Sequence, residues 1–256
     1  MSPTIGTTPP QLHPEDRAAS VALHGSALSR FRRGVVLGLP IFLGYLPVGV
    51  AFGILASTLK FSVAEAVICS ATALAGAGQF IALQFLRDGA TAVGVLIATT
   101  VVNLRYVLFA STMSTYVRDT PTPIQAVLAF TLTDETFAIN VADHRRGLAT
   151  SASMAGVGAV AWTGWVLGTL IGVVGAGWIG DPSRFGVGFA MPAMFTALFI
   201  ALAEDSRHVV IGLAAGAIVL LLPFLSAVGI VPGSSWYLVI ASMAAATIGA
   251  VVWRDA

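Results

Sequence analysis

Charge is what this chain has least of. Only 10% of its 256 residues are Asp, Glu, Lys or Arg, against 57% hydrophobic, whereas soluble domains carry about 25% charged residues. So few charges cannot cover the surface of a water-soluble domain of this length, and a mean hydropathy of +0.89 points the same way. The chain reads as an integral membrane protein. Its formal net charge of +1 argues against nucleic-acid binding as the main task. Cysteine is nearly missing as well. Cys69 stands alone, so it forms no internal disulfide and leaves the redox compartment open. The four histidines, His13, His24, His144 and His208, all fall in the tail or in predicted loops. The sequence holds no H-E-x-x-H, no G-x-S-x-G and no G-x-x-x-x-G-K-[ST]. An intramembrane metalloprotease or serine hydrolase and a P-loop ATPase are therefore disfavoured. No enzyme activity, cofactor or metal is expected.

Long apolar runs are present in abundance. A helix needs about 20 apolar residues to cross the hydrocarbon core. Segments near 35–59, 63–86, 90–116, 124–142, 152–176, 185–203, 208–230 and 236–253 meet or approach that length. The fold class expected is all-α and polytopic, with seven or eight transmembrane helices. Segment 124–142 is the least apolar, and reads as a full span or a re-entrant half-span. Residues 1–30 are polar and Pro-rich and read as a disordered cytoplasmic tail, leaving 31–256 as the transmembrane domain. With eight crossings and the N-terminus inside, Arg17, Arg30, Arg32, Arg33, Arg87, Arg145, Arg146, Arg207 and Arg254 lie on the cytoplasmic side. Lys60, Arg118 and Arg184 lie outside, a bias of the expected sign. Trp162, Trp165, Trp178, Trp236 and Trp253 suggest an interfacial belt, least clearly for the first two.

A weak echo at an offset of 115 pairs Gly49, Gly53 and Leu55 with Gly164, Gly168 and Leu170. It continues from Ala75, Phe80, Ala82 and Leu83 to Ala190, Phe195, Ala197 and Leu198. Internal repeats are common in transporter folds, but chance matches are common in a chain so rich in Gly, Ala and Leu.

Three ionisable residues fall deep in predicted spans: Arg105, Asp134 and Glu135. Each costs about 2.5–3.5 kcal/mol at mid-membrane on insertion scales, so a partnership between Arg105 and one of the acids is expected. Neighbouring helical residues point about 100° apart, so both acids cannot face one arginine equally, and one carboxylate remains for a proton, water or a substrate cation. The competing reading is a static ion pair that fixes helix packing. Pro40 and Pro47, with Gly38, Gly44, Gly49 and Gly53, mark segment 35–59 for a broken helix or for an ordinary kink with close glycine packing. Proline frees a carbonyl, and freed backbone groups at membrane depth face protein or a water-lined cavity. Gly76 and Gly78 beside Gln79 read as a second break or as a small-residue packing seam, and Pro192 as a third candidate. Asn103 lies two residues from Arg105 and points to a different face.

Four stretches in order carry a family resemblance: "GLPIFLGYLPVGVAFGILA", "ALAGAGQFIAL", "VVNLRYVLFAS" and "TLTDETFAIN". Over roughly residues 30–205 the chain resembles the AzlC family, the large subunit of branched-chain amino-acid exporters. The family often has His after Asn-Leu-Arg; Tyr106 stands there, with Phe109 beyond it. The resemblance implies a small hydrophobic AzlD-type membrane subunit as partner and export of leucine, isoleucine, valine or similar amino acids. The expected function is ion-coupled secondary export across the bacterial inner membrane. Asp134 or Glu135 would hold the substrate's ammonium or the coupling proton. Its carboxylate would sit on half-helix amides near Gly44–Gly49 or Gly76–Gln79, or on Arg105. Phe52, Phe80 and Phe137 would supply apolar walls. The alternative is a non-transporting scaffold or assembly subunit whose buried charges set helix packing.

Overall fold

A computed structural model describes residues 25–179, 189, 196, 199–200, 205–227 and 237–252. Among these residues the secondary structure is helical throughout. The helices are α1 (Ala27–Thr58), α2 (Val63–Thr72), α3 (Gly76–Arg87), α4 (Ala92–Asn103) and α5 (Arg105–Tyr116). They continue as α6 (Thr122–Phe130), α7 (Asp134–Arg145), α8 (Ser151–Ile179), α9 (Ser206–Ala227) and α10 (Tyr237–Val252).

Three of these, α1, α8 and α9, are long and apolar enough to cross a membrane alone. The pair α4–α5, bent by 40° at Leu104, makes a fourth if taken as one span. The other apolar segments are interrupted: 63–86 breaks at Ala73–Ala75 and 124–142 at Thr131–Thr133. Segment 185–203, with Pro192 and the echo residues Ala190, Phe195, Ala197 and Leu198, lies mainly outside the described residues. So does the tail as far as His24. Residues 27–30 belong to α1.

The break expected at Pro40–Pro47 is not there, because α1 runs unbroken through both prolines. A proline needs only that one carbonyl, four residues back, go without its usual donor. A 32-residue helix absorbs two such losses. Helix ends instead follow capping chemistry. Ser62 and Glu65 form a reciprocal box at the start of α2, with Glu65 N–H donating to Ser62 Oγ (3.2 Å) and Ser62 N–H to Glu65 Oε2 (2.8 Å). α3 and α7 both stop just before a left-handed glycine, Gly89 (φ 72°) and Gly147 (φ 70°).

The chain divides into two compact units, Met1–Phe42 with Phe109–Thr163, and Leu43–Leu108 with Gly164–Ala256. In the first, Met113, Val117, Leu128, Leu132 and Met154 form a buried cluster against which Phe109 and Phe137 pack. In the second, Ile81, Phe85 and Ala98 join α3 to α4, and α9 packs on α10. Both units use glycine to bring α1 and α8 into backbone contact. Gly34 and Gly156 face the Ser153 and Phe31 carbonyls in the first. Gly53, Gly168 and Gly172 face those of Thr169, Leu46 and Val50 in the second. Close small-residue packing of this kind holds helices together in lipid, where apolar contact gains nothing over the lipid itself. It also accounts for glycines in the 115-residue echo, since Gly49, Gly53 and Gly168 all serve this seam. On α9 large apolar side chains such as Leu213, Leu220 and Phe224 are more than two-thirds exposed, a surface suited to lipid.

Candidate functional site

The second unit contains a buried polar cluster around the break at Ala73–Ala75. Thr72 ends α2 and Gly76 begins α3. Ala75 precedes α3 without any side-chain cap, and no acid stands in the first turn. Gln79 N–H is the first to find a backbone acceptor, Ala75 O at 2.9 Å. The amides of Gly76, Ala77 and Gly78 have no intrahelical acceptor by helix geometry. They sum to the positive end of the helix dipole.

Two glycines let other groups reach this terminus. A methyl at Gly76 would lie 2.8 Å from Trp165 Cη2, and one at Gly78 would lie 2.8 Å from Asn103 Nδ2. Small residues are therefore a steric requirement at both positions. Asn103 closes α4 and lays its carboxamide against the first turn of α3. Its Oδ1 is buried with no hydrogen-bond partner among the described residues. An orphaned acceptor of this kind costs about 1–3 kcal/mol.

Behind the terminus every polar group found is neutral. The Trp165 indole N–H donates to Gln79 Oε1 at 2.7 Å. Gln79 Nε2 donates to Ser70 Oγ and to Cys69 Sγ, each at 3.3 Å. Ser70 and Thr169 share a hydroxyl bond of 2.7 Å, and Thr169 Oγ1 donates to the Trp165 carbonyl at 3.0 Å. Aromatic rings enclose the network. Tyr45 meets Trp165 edge-on at 5.4 Å, and Phe52 meets Phe80 edge-on at 5.8 Å. Phe52 stacks near Trp165 at 6.4 Å. Gln79, Phe52, Phe80 and Trp165 are all buried.

Sequence reasoning thus located Gln79, Gly76, Gly78, Phe80 and Asn103, which the structure brings together. It missed Ser70, Thr169 and Trp165. Trp165 is 1% exposed, so it is a core residue and no part of an interfacial belt. Its position between Gly164 and Gly168 was the available signal, because a large ring flanked by glycines on a helix marks a tight interior crossing. The α1 candidates divide. Gly49 is buried against α8, whereas Gly44 and Pro47 are exposed on a continuous helix. The half-helix amides expected at Gly44–Gly49 do not exist, since α1 bonds through them.

Asp134 and Glu135 belong to the first unit and open α7. Thr133 caps this helix: Thr136 N–H donates to Thr133 Oγ1 (3.2 Å) and Thr133 N–H to Thr136 Oγ1 (2.8 Å). Two acids in the first turn suit the positive end of the dipole. Asp134 is buried and Glu135 half-buried. Phe137, expected as a wall, stacks on Phe109 at 4.5 Å within the apolar cluster. Arg105 belongs to the second unit and stands first in α5, where the dipole disfavours a cation. Its guanidinium lies 5.3 Å from the Tyr106 ring centroid. Arg105, Asp134 and Glu135 each have interaction partners.

A further charged pair is buried within the first unit. Arg33, expected as a cytoplasmic anchor, forks onto Asp143, with Nη1 to Oδ2 at 2.7 Å and Nη2 to Oδ1 at 2.5 Å. The two side chains are 12% and 8% exposed. The pair is 110 residues apart, and Asp143 follows the acidic motif by nine positions, beyond the segment read as a span. Among the described residues no group of three or more metal-ligating side chains occurs.

An all-helical membrane protein with interrupted spans and a buried, mostly neutral polar cluster is the class these features define. The AzlC protein family matches residues 40–179, which include both breaks, Arg105 and the acidic pair. The inner membrane protein YgaZ of Escherichia coli (strain K12) is 32% identical over 216 residues, 79% of this chain and 87% of that one. An uncharacterized membrane protein of Archaeoglobus fulgidus is 31% identical over 199 residues, 76% and 85% of the two chains. The branched-chain amino acid transport protein AzlC of Bacillus subtilis (strain 168) is 30% identical over 171 residues, 66% of each chain. No solved structure matches. The chain belongs to the AzlC family.

Proposed function

We propose that this protein is an ion-coupled secondary transporter that exports branched-chain or similar apolar amino acids across the bacterial inner membrane. It works with a small hydrophobic AzlD-type subunit, its N-terminus is cytoplasmic, and its chain crosses the membrane seven or eight times. The observation that carries the reading is the uncapped start of α3 beside Asn103, inside an aromatic shell. The amides of Gly76–Gly78 suit a carboxylate, as helix N-termini do for anions generally. Asn103 Oδ1 accepts from an ammonium group. Phe80, Phe52 and Trp165 suit an aliphatic side chain and would give little discrimination among leucine, isoleucine and valine, since one methylene is worth about 1–3 kcal/mol. A neutral site of this kind favours a zwitterion over a free cation or anion. Asp134 and Glu135 supply the titratable chemistry for the coupling ion, and Arg105 balances charge as it loads and leaves.

The test is efflux of branched-chain amino acids from dipeptide-fed cells that express the chain with its small subunit. Gly78→Leu and Asn103→Leu are expected to abolish efflux at normal membrane levels, and Asp134→Asn, Glu135→Gln and Arg105→Gln to lower it. Unchanged flux in all five variants rejects the reading. The alternative scaffold role predicts instead that these variants lower yield or complex formation and leave transport per molecule intact.

A further inference from the structure

An open groove in the first unit, about 710 Å³ in volume, is lined by Arg30 of α1, Ile124 and Val127 of α6, and Thr150, Ser151 and Ala155 at the start of α8. That volume lies in the range of small-molecule sites, about 300–1,000 Å³. Its composition is uneven. One wall is aliphatic, and the other carries a permanent cation, two hydroxyls and a helix N-terminus. Arg30 Nε is buried without a hydrogen-bond partner among the described residues. Its neighbour Arg33 is neutralised by Asp143, whereas no carboxylate pairs with Arg30 among the described residues. Thr150 and Ser153 cap α8 reciprocally, with Thr150 N–H to Ser153 Oγ at 2.9 Å and Ser153 N–H to Thr150 Oγ1 at 3.2 Å. The helix is thereby held with the amides of Ser151 and Ala152 at its positive end.

We infer that this groove binds one anionic phospholipid. The phosphate sits on the Arg30 guanidinium and the first amides of α8, and an acyl chain lies along Ile124, Val127 and Ala155. Charge complementarity selects the headgroup, since a guanidinium and a helix N-terminus both favour a phosphate oxygen. The apolar wall selects a lipid over a free anion, because inorganic phosphate would leave it in water. The exposed arginines Arg32, Arg145 and Arg146 of the same unit draw anionic lipid to this region but hold no groove, and this makes them the natural controls.

The test is native mass spectrometry of the purified full chain in detergent with phosphatidylglycerol or phosphatidylcholine. Thermal unfolding with each lipid, and with inorganic phosphate alone, runs alongside. The expected result is one tightly retained phosphatidylglycerol that raises the unfolding temperature, with phosphatidylcholine and phosphate having no such effect. Arg30→Gln lowers the phosphatidylglycerol preference about fivefold or more, the size of one lost contact between a basic side chain and an anionic surface, while Arg32→Gln leaves it intact. Ile124→Ser weakens retention of phosphatidylglycerol through its acyl chain. Equal losses in Arg30→Gln and Arg32→Gln mean diffuse surface attraction and overturn the inference. A response to inorganic phosphate as strong as to lipid, or no preference in the parent protein, overturns it as well.

Discussion

At Thr131–Thr133 the chain breaks one helix and caps the next with its own hydroxyls, then places Asp134 and Glu135 in the first turn. At Ala73–Ala75 it breaks a helix and supplies neither a side-chain cap nor an acid. The first terminus is electrostatically complete: its amides meet Thr133 and its dipole meets two carboxylates. The second keeps its donors available, with glycines that admit Asn103 and Trp165. The difference reaches into each unit's interior. Around α7 the long-range polar bond is a full ion pair, Arg33 with Asp143. Around α3 it is a chain of neutral groups, Trp165, Gln79, Ser70 and Thr169. A break in a membrane helix is therefore not one kind of device. One version fixes charge in place and the other presents backbone donors in a neutral setting.

The sharpest way to break this contrast is at the ion pair. Removing one partner of a buried pair strands the other, which costs about 3–5 kcal/mol. The slight exposure of both side chains here puts Arg33→Ala and Asp143→Ala at the lower end, about 3 kcal/mol. Thermal unfolding in detergent should show a large loss for each single variant, and a Met/Leu replacement of both residues should recover much of it. If the singles unfold like the parent, the first unit is not held by charge. The neutral network is expected to be the softer one. Gln79→Leu strands the Trp165 indole N–H and removes one donor from Ser70, which keeps its bond to Thr169, a loss of about 2 kcal/mol. Adding Trp165→Phe removes the stranded indole donor and should return part of the stability. No recovery in the double variant means the indole bond contributes little.

The contrast between termini can be swapped. Thr133→Ala removes the α7 cap and should cost about 1 kcal/mol. Ala75→Ser installs one at α3 and should gain about 0.5–1 kcal/mol; under the proposed function it also lowers efflux, because its hydroxyl takes an amide that the substrate carboxylate would use. A variant both more stable and fully active would show that the α3 amides take no part in transport.

Much of this arrangement is legible in the sequence where a local rule decides it. Sparse charge and long apolar runs yield an all-helical membrane protein, and Gly-Ala-Gly before Gln79 marks a real interruption. The proline rule misled, because Pro40 and Pro47 remove donors without ending α1. Arg33–Asp143 was hidden for another reason. Arginine at a span's edge and aspartate after a span both look like solvated anchors, and only contact across 110 residues makes them a pair. Trp165 shows the same limit: periodicity gives its helix but not which face meets Gln79.

The smallest expected effect lies at the start of α9, where a third terminus refines the comparison. Asp205 Oδ1 accepts from the amides of Arg207 (2.9 Å) and His208 (3.1 Å) and lies 3.0 Å from His208 Nδ1. The stretch "EDSRH" reads as a solvated turn, and from Asp205 onward it is a working cap. The His208 amide, and after it the Arg207 amide, hold the Asp205 carboxyl below the usual carboxylate range. A carboxylate depressed in the folded state contributes above its unfolded value, and that contribution fades as pH falls through the lower folded value. Asp205 is fully exposed, so solvent screens the effect to a small one. Amide exchange at Arg207 and His208 should be faster in Asp205→Ala than in the parent at neutral pH, and the two should converge in acid below the usual carboxylate range. A gap that persists in acid would assign the protection to helix packing and not to the charged cap. That would place this terminus with α3, held by its surroundings, and not with α7, closed by its own side chains.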